Sequence, residues 1–140
     1  MTWLLVAYLV FLAWIVFSPA SEASRVTGIV AELARALASV GLGETRTYAV
    51  LEFIANVALF LPYGLLARLR WPAVRLRTIA AIGLSTSVAI EVIQLLIPSR
   101  FASYYDVIAN SIGMILGGLL GVAVSGAMPG AAARASGESP

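Results

Sequence analysis

The sequence contains no cysteine, no histidine and no lysine, and only 11% of its 140 residues are charged. The lack of cysteine excludes disulfides and thiolate metal sites. The lack of histidine removes the usual general base and the commonest metal ligand, so we expect no metal and no cofactor. Soluble domains are about one quarter charged, whereas 61% of this chain is hydrophobic. The composition is typical of a membrane protein, and a scattered net charge of +2 argues against a nucleic-acid partner.

Four apolar runs are long enough to be predicted as transmembrane helices, since crossing a bilayer takes about 17–25 residues. The first run is at the lower limit, and a cleaved signal peptide is the alternative, disfavoured by the absence of a basic residue before it. The third run contains Glu91, but its Leu, Ile and Val residues outweigh an acid's insertion cost of about 3 kcal/mol. The runs are residues 1–17, 48–67, 78–97 and 106–124.

The sequence therefore predicts an all-α fold, a polytopic bundle of four transmembrane helices within a single domain, residues 1–128. Between the first two spans, residues 18–47 show helical spacing of apolar side chains, with Ser24 placed to cap the start. An amphipathic helix in the membrane interface and a lid packed on the bundle both explain that segment. Residues 129–140 are rich in Gly, Ala and Ser, which predicts a disordered tail.

The orientation follows from arginine, because cytoplasmic loops carry an excess of basic residues. Four of the ten residues from 68 to 77 are Arg, more than in any other connection. This loop is predicted to be cytoplasmic. Four spans then place both termini in the cytoplasm, and residues 18–47 and the turn after the third span lie outside.

Each of the last three predicted spans carries an acid and an amide one turn apart, so that each pair shares a helix face. The predicted topology places all three pairs near the outer face, with Arg100 as the nearest cation. The pairs are Glu52 with Asn56, Glu91 with Gln94, and Asp106 with Asn110.

Two interpretations of these polar residues remain open. They hold the helices together, at around 0.6 kcal/mol for each hydrogen bond, or they line a cavity that binds a polar ligand. Three acids exceed what Arg100 neutralises, and ionisable groups within a membrane usually mark function, so we favour the ligand site. A stripe of small residues predicts close helix packing, with a homodimer face as the alternative. The predicted packing residues are Pro62, Gly64, Gly113, Gly117 and Gly121.

Taken in order, these polar and small residues resemble the VanZ-like family. The resemblance covers about half of the chain and rests on the order and spacing of its elements. It implies a small polytopic bacterial membrane protein, and the founding member is associated with resistance to the glycopeptide teicoplanin. The matching elements are Asn56-x3-Phe60-x-Pro62-x-Gly64, Glu91-x2-Gln94, Pro98-x-Arg100 and Asp106-x3-Asn110-x2-Gly113-x3-Gly117.

We therefore expect a cell-envelope membrane protein, more plausibly a binding protein than an enzyme. Its polar site would bind a lipid headgroup, a cell-wall precursor or a glycopeptide-like ligand, with a link to antibiotic resistance. Membrane lipids are expected partners, and homo-oligomerisation is left open. The alternatives are a proton-coupled transporter or flippase and a membrane-embedded hydrolase that uses two carboxylates. The hydrolase lacks any nucleophile motif.

Overall fold

The computed structural model describes residues 1–17, 32, 35, 36, 44–97 and 103–126. The long helices of this part of the chain confirm the predicted all-α polytopic fold, and no strand occurs among the described residues. The predicted tail, most of segment 18–47 including Ser24, and Arg100 lie outside them. The helices are α1 (Thr2–Phe17), α2 (Glu44–Arg70), α3 (Leu76–Gln94) and α4 (Tyr104–Gly126).

Three of the four helices, α2 to α4, are long and apolar enough to cross a membrane. Helix α1 has 16 residues, which makes it about 24 Å long against a hydrocarbon core of about 30 Å. The fourth span therefore stays a prediction. Hydrogen bonds connect α1 to both ends of the bundle: Arg70 Nε donates to Thr2 Oγ1 at 2.7 Å and Gln94 Nε2 to Val16 O at 2.8 Å.

Helices α2 and α4 run parallel and make the most extensive contact in the described bundle. The glycine stripe of α4 faces the α2 backbone: a Cβ on Gly113 would lie 2.3 Å from Val57 O, and one on Gly117 would lie 2.0 Å from Leu61 O. On α2, a Cβ added to Gly64 would lie 2.1 Å from Met114 O. No side chain fits at these positions, so glycine on both helices permits the close approach. Helix α2 continues through Pro62.

Helix α3 runs antiparallel to α4 on a second face. Gly83 lies against the Met114 side chain, and Gly118 lies against Ile79. Phe60, Ile79 and Met114 are fully buried where the three helices meet. The outward surface remains apolar and exposed, with Leu96 and Val10 as examples. Outward apolar side chains are what a helix in lipid requires.

Candidate ligand site at the acidic end of the bundle

Four helix ends converge at one end of the bundle, which we call the acidic end. It is formed by the end of α1, the first half of α2, the end of α3 and the start of α4. The hydrogen bond from Gln94 to Val16 O ties α3 to α1 there. Gln94 is 8% exposed, so this bond satisfies a buried amide that would otherwise carry a desolvation cost.

Glu91 joins α3 to the start of α4. Its Oε2 accepts a hydrogen bond from the backbone N–H of Ser103 at 2.7 Å, and the residue is 8% exposed. Ser103 directly precedes α4, and its carbonyl accepts from the backbone N–H of Asp106 at 3.0 Å. A carboxylate at a helix N-terminus meets unsatisfied N–H groups and the positive end of the helix dipole. Both contributions offset the burial of Glu91.

Asn110 makes the corresponding contact one turn further into α4. Its Nδ2 donates to Ser87 Oγ of α3 at 2.9 Å. Asn110 is 3% exposed and Ser87 is fully buried. Asn110 Oδ1 has no hydrogen-bond partner in the described structure. The amide therefore joins α3 to α4 through one of its two polar ends.

Glu52 and Asp106 line the same cleft between the first halves of α2 and α4. The cleft has a volume of about 430 Å³. Glu52 is exposed and Asp106 is half-buried. We call it the polar cleft, and its lining residues are Ala49, Val50, Glu52, Phe53, Ser103, Tyr105 and Asp106.

Two predicted site residues remain, Asn56 and Arg100. Asn56 is half-buried on α2, one turn past Glu52, and is not among the lining residues of the polar cleft. Arg100 falls outside the described residues. Within the described ranges, no three acidic side chains come close enough together to hold a metal ion. Glu52 and Asp106 line the polar cleft, whereas Glu91 lies at the contact of α3 with the residue before α4.

A sequence model of the VanZ/LLP1 family matches residues 5–125, and this match covers most of the chain. The chain belongs to the VanZ/LLP1 family. The family resemblance seen in the sequence is thereby confirmed. No curated protein matches the chain significantly, and neither does any solved structure.

Sequence reasoning missed two serines of this VanZ/LLP1 chain. Ser87 is the buried partner of Asn110, and Ser103 donates its N–H to Glu91 while lining the polar cleft. Ser87 lies one turn before Glu91 on the same face of α3, and this i, i+4 spacing is a signal that could have identified it. The role of Ser103 depends on its backbone N–H, which no side-chain pattern reveals.

The polar cleft of this VanZ/LLP1 protein combines two carboxylates with apolar and aromatic walls. Carboxylates accept hydrogen bonds and pair with cations, while Phe53 and Tyr105 offer ring surface to carbon groups or to a cation. Such a site suits an ammonium group attached to an apolar body.

Proposed function

We propose that this protein is an envelope membrane protein whose polar cleft binds an ammonium-bearing amphiphile. The class includes an amine-carrying lipid headgroup, a lipid-linked cell-wall precursor and a glycopeptide. The observation that carries the proposal is the joint position of Glu52 and Asp106 on the wall of one cleft. Two carboxylates in partly apolar surroundings favour a positively charged ligand over an anionic or neutral one.

The other acid and amide residues support this function indirectly. Glu91, Gln94 and Asn110 are buried, and each is hydrogen-bonded to a neighbouring helix or to the residue that precedes it. Their contribution in the proposal is to fix the ends of α3 and α4, and thereby the width of the polar cleft. Asn56 stays a candidate for contact with a longer ligand, because it lies one turn below Glu52 on α2.

The proposal includes an orientation for the protein. Arginine is concentrated in residues 68–77, at the opposite end of the bundle from Glu52 and Asp106. Basic connections are retained in the cytoplasm, so the polar cleft opens toward the outer leaflet. With α1 as a fourth span, both termini are cytoplasmic. An outward site is the position from which cell-wall precursors or a glycopeptide drug are reached.

Binding of matched amphiphiles to the purified protein tests the proposal. We expect dodecylammonium to bind at least tenfold more tightly than dodecanol, because only the former carries a cation. The double variant E52Q/D106N should lose that preference. The variant E32Q is the matched control, because Glu32 is an exposed acid outside the polar cleft, and it should bind as the wild type does.

Equal binding of the two amphiphiles, or an unchanged preference in E52Q/D106N, would contradict the proposal. Teicoplanin and a lipid-linked precursor are then compared by the same assay to identify the ligand within the class. If teicoplanin is the ligand, cells producing the wild type should tolerate more of the drug than cells producing E52Q/D106N.

A further inference from the structure

A second charged surface lies at the end of the bundle opposite the polar cleft. We call it the basic corner, residues 68–77, where α2 ends and α3 begins. The corner is closed by backbone hydrogen bonds, from Trp71 N to Ala67 O at 3.0 Å and from Val74 N to Trp71 O at 3.0 Å. The guanidinium of Arg68 donates to Val74 O as well. These hydrogen bonds fix the backbone of the connection that carries the arginines of the corner.

Three of the four arginines of the basic corner are exposed: Arg70, Arg75 and Arg77. The Arg70 guanidinium lies 5.4 Å from the centre of the Trp71 ring, and Trp71 is 47% exposed. Arg70 Nε also donates to Thr2 Oγ1, which leaves its terminal nitrogens available for an external acceptor. Arginine side chains of this kind bind phosphate through paired, charge-assisted hydrogen bonds.

The described helices supply no counter-charge to the basic corner. No acidic residue occurs between Glu52 and Glu91, and Glu52 is about 24 Å from Arg68 along α2 at 1.5 Å per residue. Asp106, the acid of α4, lies at the acidic end. No acidic side chain of the described helices therefore pairs with the arginines of the basic corner, and the exposed ones face water or an external anion.

We propose that the basic corner binds the phosphate of an anionic phospholipid. Its position favours a lipid over a soluble anion, because it lies at the end of three helices that are long and apolar enough to cross a membrane. Exposed Trp71 suits the level of the headgroups. Below the corner, Leu119, Leu120 and Val122 of α4 are exposed and offer apolar surface to acyl chains. Clusters of four or more basic residues beside a transmembrane helix attract anionic lipids in this way.

Native mass spectrometry of the purified protein in detergent micelles tests this site. Phosphatidylglycerol and phosphatidylcholine with identical acyl chains are the probes, and inorganic phosphate is the third arm. The wild type should retain phosphatidylglycerol in preference to phosphatidylcholine. Affinity for phosphatidylglycerol should fall about fivefold for each arginine removed, and hence about 25-fold in R75Q/R77Q. The control R46Q removes an exposed arginine at the acidic end and should bind as the wild type.

Equal retention of the two lipids, or undiminished phosphatidylglycerol binding by R75Q/R77Q, would overturn the proposal. Displacement of the lipid by millimolar inorganic phosphate would show that the basic corner binds a soluble anion and would overturn the proposal of a phospholipid ligand. Two measurements avoid dependence on the folding of R75Q/R77Q. R75K/R77K, which keeps the charge, should retain the preference for the anionic lipid. In the wild type that preference should weaken as ionic strength rises, and a salt-independent preference would also contradict the site.

Discussion

At the scale of single residues, the acidic end depends on polar side chains that each contact a neighbouring helix. The sequence alone predicts that Glu91, Gln94 and Asn110 contact polar partners, because polar groups within apolar segments need them. It does not predict the partners. Gln94 bonds the carbonyl of Val16 and Glu91 bonds the N–H of Ser103. Both partners are backbone groups, and any residue type carries these, so their choice depends on how the helices pack.

The hydrogen bond between Ser87 and Asn110 should couple α3 to α4 energetically. In a double-mutant cycle with S87A and N110A, we expect a coupling free energy of about 0.6 kcal/mol and at most about 1.7 kcal/mol. The measurement is reversible unfolding in micelles. S85A is the control, because Ser85 is exposed on the same helix, and its effect should stay within about 0.5 kcal/mol. Additive single effects in the cycle would show that the two side chains do not interact.

The two carboxylates of the polar cleft differ in kind from these buried groups. Glu52 is exposed and Asp106 is half-buried, so replacing each by its amide should change the surface charge more than the fold. We therefore expect E52Q/D106N to unfold within about 1 kcal/mol of the wild type while losing its preference for an ammonium group. A large loss of stability would place these acids among the structural contacts instead.

At the scale of helices, the parallel pair α2 and α4 forms the centre of the described bundle. The spacing of Gly113, Gly117 and Gly121 predicts a smooth helix face, and this much can be derived from the sequence. The identity of the facing helix cannot be derived from the sequence, since an apolar α3 or a second copy of the chain would satisfy the same pattern. The structure places Val57 and Leu61 of α2 against this face.

Alanine substitutions along α4 should separate close packing from helix propensity. G117A should destabilise the protein by about 1–3 kcal/mol, because its Cβ would lie 2.0 Å from Leu61 O. G118A should have a smaller effect, since its nearest atom is the flexible end of Leu76 at 2.9 Å. G126A is the control with nothing within 4 Å. Unfolding in micelles measures all three, and G117A as stable as G126A would refute the close contact.

At the scale of the whole molecule, acidic residues are concentrated at one end of the described bundle and most arginines at the other. Glu52, Glu91 and Asp106 lie at one end, and the arginines of the basic corner lie at the other. Hydropathy and arginine position predict this polarity from the sequence, because each acid occurs near the same end of an alternating series of spans. The polar cleft could not be predicted, since it depends on how the first turns of the parallel helices α2 and α4 pack against each other. The outer location of residues 18–47 and the place of Arg100 beside the acids stay predictions.

The claim on which the proposed function depends is that the polar cleft opens outside the cell while the basic corner lies inside. The absence of cysteine allows single thiols to be introduced without background. Ala49 lines the polar cleft, and exposed Ala73 lies in the basic corner. A membrane-impermeant maleimide on intact cells should label A49C, and should label A73C only after permeabilisation. Labelling of A73C but not A49C on intact cells would contradict the account.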